Sequence, residues 1–287
     1  MTGWLVTLLT AALTLVWLGW PVWSSGTVAD RATASAEAPW LLGAQVCLLI
    51  LLGYTLWLKA GRTLSPYAPV PLLVACAVTS SAFLHPGASG VEFAFVFPLV
   101  AGALLGGPTG FLTGSAAALI SAAAGGTIAP QLVGQVLVWG LWGLAGAAVR
   151  PLSTRTAWLL GALLCLPLGV LSGLLLNLTG WAGETGADVG AFVSGAPPLD
   201  ALTRLLQYSW ATSFGYDLTR GISSAVVFSI VGGPMLWWLR QGFDTRHLPG
   251  EVAVTPARRI SPRTMQRRTD SASITDLWIP KQGDPDD

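Results

Sequence analysis

The chain has 287 residues, of which 53% are hydrophobic and only 10% charged, with a mean hydropathy of +0.62, a balance that excludes an ordinary soluble globular domain. A net charge of +1, with basic residues segregated along the chain instead of spread over one face, excludes a nucleic-acid-binding surface. The two histidines, His85 and His247, both fall outside the apolar segments, so a bis-histidine haem site on facing helices would lack its ligands, and Cys47, Cys76 and Cys165 lie singly in apolar segments without metal-ligand or disulfide spacing.

The pattern predicts an all-α, polytopic membrane helix bundle. The first apolar run, Trp4 to Trp23, has no basic n-region and, at about twenty residues, exceeds a signal-peptide core of roughly 7 to 15, so it reads as a retained transmembrane helix. Further spans are expected at Trp40 to Leu58, Pro69 to Leu84, Phe93 to Leu105, Pro108 to Ala124, Leu132 to Val149, Ala157 to Leu178 and Phe214 to Leu239, eight in all. The fourth and fifth would be too long for one crossing, and Gly106-Gly107-Pro108 supplies the break, because glycine permits the turn and proline suits a helix start. Gly102, Gly106, Gly110 and Gly114, four apart, predict close helix packing there. Between Gly180 and Ser213 lies a long loop carrying Glu184, Asp188 and Asp200, in which Leu199 to Trp210 reads as an amphipathic helix on the outer surface. The polar, Pro-containing tail from Gln241 to Asp287 is expected to be disordered, its cluster from Arg258 to Arg268 near the membrane surface.

Basic residues test the count. Lys59 and Arg62, then Arg150 and Arg155, then the arginines after Leu239 all fall on one side of an eight-span arrangement. Both termini are then cytoplasmic. The expected division is residues 1–61 as an N-terminal hairpin, 62–242 as the membrane core and 243–287 as the tail.

Catalytic signatures are missing from the sequence: there is no HExxH, G-x-S-x-G, Walker loop or CxxC. No catalytic residue, metal or cofactor is therefore assigned, and any uphill movement of a solute needs an ion gradient or a separate energising subunit. Ionisable residues are nearly absent from the spans except in DLTRGISSAVVFSIVGGP, where Asp217 and Arg220 stand three apart on one helical face. They read either as a structural ion pair near the interface or as the polar wall of an outward-facing pocket. Glu92, Gln131, Gln135 and Asn177 are expected at the same depth, with Phe93, Phe95, Trp139, Trp181, Tyr208 and Trp210 as stacking surfaces for a flat ligand or as interfacial anchors.

The run from Glu92 through FPLVAGALLGGPTGFLTGSAAALISA, then QLVGQVLVWGLWGLAG, then DLTRGISSAVVFSIVGGPMLWWLRQ, resembles the substrate-binding S components of energy-coupling factor vitamin transporters, over about Pro69 to Arg240. The resemblance implies a six-helix core matching spans three to eight in a bacterial plasma membrane. It also implies an outer-face pocket for a vitamin or related micronutrient, and coupling through a transmembrane T subunit with two cytoplasmic ATPases. Binding residues would come from Glu92, Gln131, Gln135, Trp139, Asn177, Tyr208, Asp217, Arg220 and Ser224. Docking to the T subunit would use a small-residue face of the first core helix, here Ala68, Ala75, Ala77, Thr79 and Ser81, with Ala77 and Ser81 four apart; generic helix packing is the other reading of these residues. Two departures stand out. The first two spans have no counterpart in the six-helix pattern, and Arg220-Gly221-Ile222-Ser223-Ser224 replaces Arg-Ala-Ile-Gly-Asn, with Ser224 in place of an amide. Alternatives are an integral membrane enzyme acting on lipid-linked substrates through His85, Glu92 and Asp217, and an assembly protein without a small ligand.

Overall fold

The computed structural model describes residues 1–24, 27–83, 90–125, 131–184 and 190–242. His85, Asp188 and the tail from residue 243 lie outside these segments. Regular structure among the described residues is entirely helical: α1 (Thr2–Leu18), α2 (Trp20–Trp23), α3 (Val28–Lys59), α4 (Pro69–Phe83), α5 (Val96–Leu105), α6 (Gly107–Ala124), α7 (Gln131–Gly146), α8 (Thr154–Trp181), α9 (Pro198–Thr212), α10 (Phe214–Val227) and α11 (Gly233–Gly242). A π-helical turn, Phe228–Gly232, joins the last two into one continuous run.

Five stretches are long and apolar enough to cross a membrane: Asp30–Lys59, Ser65–Phe83, Gln131–Val149, Thr154–Trp181 and Phe214–Gly242. The apolar α1 and α5 are shorter. Their outward faces are made of side chains that water would penalise, such as Leu5, Ile50, Leu159 and Ile230, each more than 65% exposed. Such surfaces suit hydrocarbon, as in a multi-pass membrane protein.

At the centre lies α5, whose ten residues are all buried. It ends at Gly106, which has φ +97°, and α6 restarts in a new direction with Pro108 in its first turn. The sequence-predicted break therefore exists. The four glycines spaced four apart divide between two tasks: Gly106 makes the turn, whereas Gly102, Gly110 and Gly114 let backbones touch. A Cβ on Gly102 or Gly110 would collide with the carbonyl oxygen of Gly143, one on Gly114 with that of Trp139, and one on Gly146 with that of Leu99. Through these contacts α5, α6 and α7 form a nearly solid block. Polar groups inside it are satisfied locally: Ser115 donates to the Val136 carbonyl (3.0 Å) and Trp142 Nε1 to Ser172 Oγ (2.8 Å).

The N-terminal helices pack against this block. Along α1 the hydroxyls of Thr7, Thr10 and Thr14 each donate to the carbonyl four residues back, which neutralises them on a buried face. α3 starts with a reciprocal capping box between Thr27 and Asp30. Its wholly buried Gln45 donates through Nε2 to Thr14 Oγ1 (2.8 Å) and to the Val133 carbonyl (3.1 Å), so one side chain ties α1, α3 and α7 together.

The far end of the last helical run is fastened by Arg240. Its guanidinium donates to the carbonyls of Ala103 (3.1 Å), Arg150 (3.1 Å) and Leu152 (3.0 Å), capping the end of α5 and the turn between α7 and α8. The expected helix at Leu199 to Trp210 is present as α9, which buries Ala201 and Leu205.

Candidate functional site

At the end of the bundle opposite Arg240, the last turns of α4 and α6, the first turns of α7 and the stretch leading into α5 surround a cavity of about 240 Å³. Glutamine and tryptophan at helical spacing of four point one stripe of α7 into it, so Gln135 and Trp139 form one wall. Across from them α6 presents Ala118, Ser121 and Ala122, whose small side chains leave the space open, and α4 presents Ser80 and Ser81. Ser121 Oγ donates to Ser81 Oγ at 3.1 Å. Phe93 and Phe95 complete the aromatic side, with Phe95 stacked on Trp142 at 4.8 Å and tilted against Trp139 at 5.3 Å. The result is a small compartment with hydroxyls, one amide, one carboxylate and three aromatic rings, a composition suited to orienting a flat polar molecule.

The carboxylate is Glu92, and its position is set by α10. Its backbone N–H donates to Ser223 Oγ (3.3 Å) and its carbonyl accepts from Ser224 Oγ (3.2 Å). Just before it, Gly90 has φ +77° and lies against the Tyr216 carbonyl, where a side chain would not fit. Below, Arg220 Nη1 donates to Asp217 Oδ1 at 2.7 Å, while Arg220 Nε is 3.8 Å from Glu92 Oε1, an ion pair beyond hydrogen-bond length. Asp217 and Arg220 are 4% and 5% exposed, and the guanidinium also lies 5.1 Å from the Tyr216 ring centre. Ser213 donates to Asp217 Oδ2 (2.8 Å), and Asn177 Nδ2 donates to Ser213 (2.7 Å) and Ser209 (3.0 Å). A polar chain thus runs from α8 through the junction of α9 and α10 to the cavity wall.

Of the residues anticipated for binding, Glu92, Gln135 and Trp139 line the cavity. Gln131 lies one turn before Gln135 at the exposed start of α7. Asp217, Arg220, Ser224 and Asn177 are behind the wall, in the network that fixes Glu92. Tyr208 packs where Gly190 approaches its backbone, and Trp181 donates to the Gly190 carbonyl (2.9 Å), both away from the cavity. The anticipated docking face divides. Ala77 is fully buried and Ser81 belongs to the cavity wall, so this pair offers no outer surface, because their helical face is the one turned toward α6. Ala68, Ala75 and Thr79 are exposed. Sequence reasoning missed Ser80, Ser121 and the small residues beside it, whose spacing of three and four (Ala118, Ser121, Ala122) is the signal that could have found them.

Compared with known proteins, the chain matches no family model, no curated protein and no solved structure.

Proposed function

We propose that the chain is the substrate-binding membrane subunit of an energy-coupling-factor-type importer. It would capture a small micronutrient at the outer face and release it through a T subunit driven by two ATPases. The observation that carries this reading is the cavity of about 240 Å³, lined by Glu92, Gln135, Trp139 and Phe95 and closed toward the other end by the glycine-packed block. That volume lies below the usual range for drug-sized ligands, which favours a one- or two-ring heterocycle over a corrinoid. The motif order from Glu92 to Arg240 supports the same assignment.

Orientation follows from charge. Lys59, Arg62, Arg150, Arg155 and Arg240 belong to connections at the end away from the cavity, as a cytoplasmic face requires. In this reading α1, α3 to α8 and the run from α10 to α11 make eight crossings, α1 and α3 form a hairpin added to a six-helix core, and both termini are cytoplasmic.

The test is mass analysis of small molecules released by denaturing detergent-purified protein beside a Trp139→Ala preparation, together with co-purification partners. A near-stoichiometric small molecule lost in the variant, or a T subunit with ATPases, is expected. The absence of both a released molecule and such partners would overturn the assignment.

A further inference from the structure

We infer that α9 lies in the lipid leaflet at the cavity end of the bundle and docks a second apolar face, separate from the one it packs on the protein, onto the acyl chains. The leaflet is its partner whatever the cavity binds. At about 100° per residue the side chains of α9 divide into three sectors. Ala201 and Leu205 are buried on the side where α9 meets α2, α8 and α10. Next to them Leu199, Leu202, Leu206 and Trp210, at spacings of three and four, make an apolar stripe that no part of the bundle covers, with Leu199 77% and Trp210 69% exposed. Beyond the stripe come the exposed Thr203, Gln207 and Asp200, and Asp200 pairs with Arg204 at 3.0 Å on the side away from the stripe. The rotation of the helix about its own axis is fixed, because Asn177 Nδ2 on α8 donates to Ser209 at 3.0 Å, so the stripe does not turn inward.

Four large apolar side chains in a row are a poor face to show to water. An interfacial helix needs this division, with one face at the boundary of headgroups and acyl chains and another in water. Continuity with the membrane-crossing surface names lipid as the occupant. Trp210 stacks on Phe214 with ring centres 4.2 Å apart. Phe214 heads the apolar stretch Phe214–Gly242, and at spacings of four below it stand Leu218, Ile222 and Val226, the last two exposed on the outward side of that crossing. Through the stack the stripe of α9 joins the surface that hydrocarbon covers, and the indole marks the join at the level where interfacial rings belong. Immersion deepens toward Trp210, and Leu199 at the other end stays nearest the water.

The experiment uses the full chain in phosphatidylcholine nanodiscs, with Cys47, Cys76 and Cys165 replaced and a spin label placed singly at Leu202→Cys, Leu206→Cys, Thr203→Cys or Gln207→Cys. Collisions with molecular oxygen, which concentrates in hydrocarbon, are compared with collisions with a water-soluble nickel chelate. The oxygen-to-nickel ratio should be about threefold or more higher at Leu202→Cys and Leu206→Cys than at Thr203→Cys and Gln207→Cys. A second measurement needs no cysteine change: Trp210→Phe should remove a part of the wild-type emission that phosphatidylcholine brominated on its acyl chains quenches more strongly than acrylamide does. High nickel accessibility at all four sites, or an emission component quenched by acrylamide alone, would overturn the inference by placing α9 in water. Low accessibility to both reagents at Leu202→Cys and Leu206→Cys would overturn it in the other direction, since a second copy of the chain or another protein would then cover the stripe.

Discussion

Asp217 keeps its place because residue 173 has no side chain. A Cβ on Gly173 would occupy the position of the Asp217 carboxyl group, so α8 is hollowed at the point where α10 inserts its buried ion pair. Gly173→Ala should displace the carboxylate, separate it from Arg220 and lower thermal stability in detergent about as much as Asp217→Ala does. Removing one partner of a buried pair typically costs about 3–5 kcal/mol. Replacing the whole cluster, as Asp217→Leu with Arg220→Met and Glu92→Gln, should cost distinctly less than Arg220→Met alone, since no member of the cluster is then left charged without its partner. A triple mutant as unstable as the single would show that the cluster is needed for more than its own neutralisation. The ion pair was legible in the sequence, because charges three apart within an apolar run can only share a helical face. Gly173 was not, because nothing in the run SGLLLN distinguishes a glycine that faces lipid from one that faces a carboxylate twisted in from another helix.

Between elements, the same residue type carries opposite consequences. Gly110 meets the Gly143 carbonyl and the Gly102 Cα, whereas Gly43 on α3 has open space where its Cβ would be. Gly110→Ala should therefore force α6 off α7 and cost about 3 kcal/mol, as overpacking against backbone does. Gly43→Ala should be neutral or stabilise by about 0.5–1 kcal/mol through the lower helix propensity of glycine. Unfolding of the two variants in the same detergent checks this, and equal effects would mean that the α6 to α7 contact is softer than its geometry implies. The break before Pro108, the amphipathic α9 and the apolar helices could all be read from local pattern. Which side of α4 faces inward could not: its apolar positions run all round the helix, and only the contact with α6 turns Ser80 and Ser81 toward the cavity. The link from Glu92 to Ser223 and Ser224 spans 131 and 132 residues, beyond the reach of any local signal.

Over the whole molecule, polarity is set by the ends. The basic turns and the Arg240 cap occupy one end, and the cavity with α9 occupies the other. Exposed tryptophans sit toward both, Trp237 and Trp238 near Arg240 and Trp210 near the cavity, where interfacial rings belong. In a background with Cys47, Cys76 and Cys165 replaced, Arg62→Cys and Leu199→Cys should be labelled by an impermeant maleimide from opposite faces of oriented vesicles, Leu199→Cys from outside. Labelling from the same face would remove the eight-crossing arrangement.

The tether of Glu92 to α10 also dictates an order of events during synthesis. When the stretch that leads into α5 leaves the ribosome, the serines that anchor it are still about 130 residues away. At roughly 5–20 residues per second they arrive only several to some tens of seconds later. Through that interval the four helices α5 to α8 can insert while the cavity wall lacks its anchor. The stretch that brings Glu92 to the cavity wall therefore stays untethered until nearly the last helix is made, and a chain arrested before Ser223 has that wall without its fastening.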